Sequence, residues 1–343
     1  MTKILGKGEI AEEALRSYFI EQGYFVVRAL PFAYNQIDIT DVDLWLYEKA
    51  SLFTRERTNV DVKNRNHPQA FERIIWAKGL QVTLSLERAI VATTSTRKEA
   101  REFGLANDVI MIDGSLLNNL LHKGINPERI TEEEFLSVIY TESPGKGEED
   151  WKGRYRASKG RLLTKLNFDG CNEYLREINY FLEQSVLRQN RALIPLRLFY
   201  INIAFFLICI DFIVKNYTSL DPKSRMELLT NGFNYGERGK ERTESITNAA
   251  IKLASSIIAN PNIARTLQIE IEKQSKIRPV EILADFFSKS SIMNSLFETA
   301  KLFESFSYSQ AMPSPSHLPA ELQSVIGLLA DFFRMERKRI LNL

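Results

Sequence analysis

Asp61 and Lys63 place a carboxylate and an ammonium two residues apart in the alternating run Asn59-Val60-Asp61-Val62-Lys63. Period-two alternation marks a half-buried strand, so Asp61 and Lys63 project from one side, roughly 7 Å apart along the backbone. A second alternating run, Asp41-Val42-Asp43-Leu44-Trp45-Leu46-Tyr47, sets Val42, Leu44 and Leu46 on one face and Asp41, Asp43, Trp45 and Tyr47 on the other. Folding the runs antiparallel about a turn near Leu52 and Phe53 brings Asp43 opposite Asp61 to Lys63. Two carboxylates and an ammonium on one patch suit a hard divalent cation such as Mg²⁺, which binds through one or two carboxylates plus phosphate oxygens. The lysine beside it could hold or activate a water, or neutralise developing charge. On an ordinary sheet edge the same charges would serve only solubility. Glu48 to Arg57 contains no Gly, Pro or Asn to fix the turn.

The flanking sequence supplies the elements that must position these side chains. Gly8 to Gln22 reads as a helix, with Ala11, Ala14, Leu15, Tyr18 and Gln22 on one side and Phe19 at the edge. Glu12 flanks that stripe, Glu9 and Glu13 lie further round, and Gly23 ends the helix. Tyr24 to Leu30 reads as a strand, followed by Pro31 and a loop through Asn35, and Asp38 too reads as a loop residue. After Lys63, Asn64 to His67 form a polar break. Pro68 opens a helix that runs to about Lys78, with Gly79 at its end. Ala89 to Thr93 is a continuous apolar run, as expected of a strand covered on both faces. Thr96 to Glu99 reads as a capping box opening another helix. Val109 to Ile112 is the next short strand, and Asp113-Gly114 leads into a helix from Ser115 to Leu121. Short strand–helix–strand links imply parallel pairing with a right-handed crossover. The expectation is an α/β fold, a mixed sheet flanked by helices.

Composition narrows the chemistry. With 343 residues, 44% of them hydrophobic, the chain is long enough for two domains. A net charge of +2 leaves nucleic-acid binding only to a local patch. The only cysteines, Cys171 and Cys209, lack metal-site spacing and fit packing roles in a reducing cytoplasm. Met1 to Glu13 lacks an apolar signal core. Leu198 to Val214 is interrupted by Asn202 and Asp211, so it reads as a buried helix with no membrane partner. No Gly-Lys-Ser/Thr phosphate loop and no Gly-x-Ser-x-Gly is present, and three scattered histidines give no triad. His67 has no partner histidine or cysteine and is not read as a ligand.

This order of elements and residues resembles the restriction-endonuclease-like superfamily written PD-(D/E)XK, and within it the Mrr-type restriction endonuclease domain. The match rests on Glu12 ahead of Gly23-Tyr24, on Asp43 before apolar residues, and on Asp61-Val62-Lys63 followed by Asn64. Its tail is Val91-Ala92-Thr93-Thr94-Ser95, then Glu99-Ala100-Arg101-Glu102, then Ile110-Met111-Ile112-Asp113-Gly114. The set spans residues 6 to 122. No proline precedes Asp43, and Asp61 stands where relatives often have Glu. The resemblance implies an αβββαβαβ core and a Mg²⁺-dependent DNA endonuclease acting in restriction of foreign DNA, with Mn²⁺ able to substitute. By the same resemblance Asp43 and Asp61 are metal ligands, joined by the Val62 carbonyl. Lys63 positions the attacking water, and Glu12 orients a metal-bound water. Gln69 and Arg65 are candidates for contact with nucleic acid. A catalytically silent or partner-gated subunit with the same fold is the alternative reading.

The domain expectation is 1–142 for this core, 143–168 for a basic linker and 169–343 for a helical domain. Thr131 to Glu134 reads as a capping box whose helix ends near Thr141, and Ser143 to Gly147 is linker-like. Lys152, Arg154, Arg156 and Lys159, interleaved with Trp151 and Tyr155, suit a nucleic-acid backbone and bases, or else a solvated connection. DNA is the expected partner, with RNA the alternative. The helical half, broken at Pro195, Asp221-Pro222, Asn231-Gly232, Asn260-Pro261, Pro279 and Pro313 to Pro319, could bind a partner subunit or pair with a second copy. Tyr235 to Arg242 reads as an exposed loop.

Overall fold

The two alternating runs pair as an antiparallel hairpin. Strand β2 (Ile37–Glu48) meets β3 (Glu56–Lys63) in a register running from Glu48↔Glu56 to Leu44↔Val60, so the turn centres on Leu52. Ser51 fixes the turn instead of a glycine. Its hydroxyl accepts from the Phe53 and Thr54 amides at 3.2 and 3.0 Å, and its carbonyl accepts from the Arg55 guanidinium at 2.7 Å. This is a local side-chain turn, which needs no special backbone angle.

The computed structural model describes residues 5–35, 37–65, 69–143, 145, 150–188, 192–257, 266, 269–270 and 279–343. The chain forms two compact units. The first comprises 1–164 with 193–205 and 300–312, and the second 165–192 with 206–299 and 313–343.

The first unit is α/β, built on a five-stranded open mixed sheet in the order β1-β2-β3-β4-β5. Strand β1 (Phe25–Tyr34) pairs antiparallel with β2, whereas β4 (Arg88–Thr93) and β5 (Val109–Ile112) continue from β3 in parallel. Val26, Leu44, Leu46, Val60 and Val62 face helix α1 (Lys7–Glu21) through Ala11, Leu15 and Phe19. On the opposite face Ala89, Val91 and Val109 pack against Ile74 and Ala77 of helix α2 (Ala70–Thr83). Helix α3 (Lys98–Ala106) links β4 to β5, α4 (Gly114–Lys123) follows β5 and packs on α1, and α5 (Glu132–Glu142) and α6 (Trp151–Thr164) come next. The Thr131 capping box of α5 forms as read.

Several expectations change. Strand β1 does not stop at Leu30. It runs through Pro31 to Tyr34, because β1 is a sheet edge, where proline's missing donor costs no ladder bond. Strand β2 begins at Ile37, so Asp38 is a strand residue opposite Ala33. Helix α2 continues past Gly79 to Thr83, drawn on by buried Leu80. The box at Thr96 does not form; α3 starts after Arg97 with no side-chain cap. Residues 151–164 are a helix that packs on β1, with Trp151, Tyr155, Leu162 and Leu163 buried. Gly160 permits that approach, since a Cβ there would stand 2.9 Å from the Pro31 carbonyl oxygen.

The second unit is helical in its described residues. Phe168–Leu187, Pro222–Tyr235, Val280–Ser288 and Ala320–Phe332 pack together, with rings of Phe206, Phe233 and Phe287 between them. Asn231-Gly232 is no break: it lies inside Pro222–Tyr235, where the Phe168 ring sits 2.3 Å from the place a Gly232 Cβ would take. Residues 236–242 are helical, a short 3-10 turn and the start of Gly239–Ile257. The expected break at Asn260-Pro261, the linker residues Pro144, Lys146 and Gly147, and the expected helix start at Pro68 lie outside the described residues. Leu193–Val214 is the one described helix long and apolar enough to cross a membrane, and 94% of its apolar window is buried within the protein. Cys171 and Cys209 are buried free thiols.

Candidate functional site

At Asp43 strand β2 parts from β3 and its pairing with β1 is interrupted for one step. The β2–β3 ladder ends at Leu44↔Val60, one step short of Asp61. On the other side the register passes from Arg28↔Leu44 to Leu30↔Val42, skipping Ala29, which holds φ 50°. A positive φ at a residue with a Cβ costs roughly 1–2 kcal/mol and is kept only where its surroundings fix it. The result is a fork in the sheet with Asp43 in its cleft. The Asp43 carboxylate accepts the Val62 amide at 2.7 Å, in place of a ladder carbonyl.

Asp61 points toward α2, as does Asn59, whose amide donates to the Ala77 carbonyl at 3.1 Å. Asp61 is 5% exposed and is gripped by Arg73. One guanidinium nitrogen, Nε, donates to Oδ2 at 2.7 Å, and a terminal nitrogen donates to Oδ1. Lys63 ends β3 beside Thr93 of β4 and lends its charge to Asp43. Asn64 ties this strand end to α1, donating to the Lys7 carbonyl at 3.1 Å.

Glu12 reaches the fork from α1, within electrostatic range of Asp43, but its carboxylate is engaged by Arg28 at 2.5 Å. Burial pushes both the Glu12 and Asp43 carboxyls above the usual carboxylate range. For Asp43 the Val62 amide, Lys63, Arg73 and Arg28 offset part of that shift. Arg28 is 1% exposed and also holds Glu13 and, at 3.1 Å, Glu133. Behind it Lys159 donates to Glu132 at 2.5 Å and to the Arg28 carbonyl at 3.0 Å. Glu132 also accepts from Tyr308, and Glu304 accepts from Arg16 and Arg129, each at 2.7 Å.

The sequence-derived candidates therefore separate. Asp43, Asp61, Lys63 and the Val62 backbone come together, with Glu12 at the edge of the group. Arg65 is exposed just beyond, its carbonyl accepting from the Thr94 hydroxyl, and Gln69 is an exposed residue preceding α2 with φ 48°. Lys152 is exposed, and Arg156 stands 3.6 Å from Asp41. Arg154 is half-buried on the same helix. Lys159 is not a surface cation: it is 1% exposed and consumed by Glu132, which corrects its reading as a nucleic-acid contact. His67 lies outside the described residues. Glu13, expected further round α1, is instead buried in the Arg28 cluster.

Two residues with large roles went unread. Arg28 shares the inward phase of Val26 and Leu30, and a lone guanidinium in that phase signals a buried ion cluster. Arg73 carries no such mark, since its contact depends on how α2 lies on β3.

Compared with known proteins, the chain matches no family model, no curated protein and no solved structure.

Proposed function

We propose that the chain is a divalent-metal-dependent nuclease hydrolysing phosphodiester bonds, with a core like that of the PD-(D/E)XK restriction-endonuclease-like enzymes and DNA as substrate. The observation that carries this reading is the fork. Asp43 sits where β2 parts from β3 and misses one step of pairing with β1, level with Asp61 near the end of β3. Among the described residues no three His, Cys, Asp or Glu side chains gather as a closed metal cage. Mg²⁺ does not require one, since it binds through one or two carboxylates and keeps its remaining positions for water and phosphate. Asp43 and Asp61, with the Val62 carbonyl, fit that demand. The chemistry such an ion supplies when bound is charge stabilisation at phosphoryl oxygens and at the leaving oxygen.

The chain's own groups do the rest. Lys63 orients the attacking water and offsets its developing charge. The Val62 amide fixes the rotamer of Asp43. Arg28 holds Glu12 in range of Asp43, where Glu12 can receive a hydrogen bond from a water. Lys152, Arg154 and Arg156 provide phosphate contacts on α6. Restriction of foreign DNA is the biological role this resemblance suggests.

The grip of Arg73 on Asp61 favours a second reading, a subunit silent until a partner or substrate arrives. The test is incubation of supercoiled plasmid, linear duplex and single-stranded DNA, and of RNA, with Mg²⁺ or Mn²⁺, wild type beside Asp43→Asn. Cleavage by wild type alone supports the nuclease. No cleavage of any substrate, at concentrations where the protein binds DNA, refutes it for the isolated chain and supports the silent reading.

A further inference from the structure

Arg73 reaches from the first turn of α2 to Asp61 and takes both oxygens of its carboxylate. This two-pronged geometry is the strongest that a guanidinium makes with a carboxylate. The pair is shielded: the Asp61 side chain is 6% exposed and that of Arg73 is 23%. Shielding strengthens the attraction, and it would equally strengthen repulsion between a guanidinium and a metal ion on the same carboxylate. Arg73 and a divalent cation are thus rivals for Asp61. The guanidinium also has somewhere to go, because its carbon lies 5.8 Å from the ring centroid of Trp76, within cation–π range. Trp76 is 42% exposed, so a guanidinium moved over that ring would be open to solvent.

Resting on the reading of Asp43 and Asp61 as cation ligands, we infer that Arg73 is a built-in cation which must leave Asp61 before a metal ion binds. Once released, it becomes a contact for the anionic phosphodiester. Loading the site is an exchange: the divalent ion replaces the guanidinium on the carboxylate, and the guanidinium regains an anion in the substrate. Metal alone then binds weakly, and metal with a phosphodiester binds well. A pair serving only to clamp α2 onto β3 would predict no such competition.

The test is Mn²⁺ binding to the full chain, read by the paramagnetic signal of the free ion, without nucleic acid. Arg73→Gln removes the rival cation and is expected to bind Mn²⁺ at least tenfold more tightly than wild type. Arg73→Lys keeps the charge but not the two-pronged grip, and is expected to fall between them; it carries the test if the glutamine variant is poorly folded. Lys78→Gln, removing a charge further along the same helix, is expected to change affinity less than twofold. Asp61→Asn is expected to abolish the tight binding in the Arg73→Gln background. Equal Mn²⁺ affinity in wild type and both Arg73 variants, with binding lost in Asp61→Asn, overturns the exchange and leaves the metal site standing. Failure of every variant to take up Mn²⁺ overturns the exchange and the metal reading together.

Discussion

Replacing Arg28 with methionine keeps the length and packing of the side chain but strips the central cation from three carboxylates. Arg28 is 1% exposed, and the side chains of Glu13, Glu133 and Glu12 are 4%, 10% and 19% exposed. Breaking a buried ion pair from one side costs about 3–5 kcal/mol, because the surviving charge is left unpaired. Glu13 keeps some support, from Arg16 at 3.6 Å and the Glu132 amide at 2.8 Å, which places the expected loss near the lower end, about 3 kcal/mol. Glu12, 19% exposed, recovers part of its hydration and adds less than the other two. Urea unfolding at pH 7, followed by circular dichroism, measures the loss. The pH dependence adds a second check. Burial raises the Glu132 carboxyl, but Lys159 and Arg16 outweigh it and hold it below the usual range; Arg129 and Arg16 do the same for buried Glu304. The stability from those two groups is full above the ordinary carboxylate pKa and is lost as pH falls through their depressed values. In Arg28→Met, Glu12, whose carboxyl burial raises and Arg28 lowers, loses its lowering cation and takes up a proton more readily on acidification. The deficit relative to wild type should therefore shrink from pH 7 toward pH 5. A loss below about 1 kcal/mol at pH 7, or a deficit that does not shrink in acid, would refute the claim that Arg28 organises this cluster.

Asp43→Asn should abolish cleavage yet keep the fold, because the amide oxygen can still accept from Val62. It should also raise stability at neutral pH, where the wild-type carboxylate is ionised at a burial cost, and the gain should vanish as pH falls below the ordinary aspartate range; thermal melts at several pH values read this. Gly232→Ala should lower stability by about 1–3 kcal/mol, since the new Cβ meets the Phe168 ring, and a melt or urea curve would show it. Neutralising Lys152, Arg154 and Arg156 together should weaken DNA binding and flatten its salt dependence, whereas Lys159→Met should cost stability and leave the salt slope unchanged. Binding titrations at several salt concentrations separate the two.

Local periodicity carried most of the first unit. Alternation in 41–47 and 59–63 marked both strand faces, and a turn supposed near Leu52 and Phe53, not the alternation, put Asp43 opposite Asp61 to Lys63; the observed register brings it level with Asp61. The apolar run 89–93 announced a strand covered on both sides. What stayed hidden depends on tertiary approach. Proline at 31 and glycine at 79 and 232 are breakers by local propensity, yet an edge position, buried Leu80 and the Phe168 ring each override it. The basic residues of 151–165 look alike in sequence. Only their phase on the helix, facing Glu132 or facing water, separates Lys159 from Lys152. The hold of Arg73 on Asp61 joins residues 12 apart through a segment whose path no propensity sets.

The first unit is assembled from three separated stretches of chain, and this gives it a timetable. Arg16 and Glu132 emerge early in synthesis, but their partners Glu304 and Tyr308 follow 288 and 176 residues later. Until then Arg16 and Glu132 have only their nearer partners, Glu13 and Lys159, and their burial is incomplete. Closing such long loops is slow. The sheet and its fork can form from residues up to about 112, but the cluster behind Glu12 is complete only once Glu304 and Tyr308 have been made. A fragment ending at Glu142 would carry every proposed catalytic side chain while lacking Lys159, Glu304 and Tyr308, which hold their support in place.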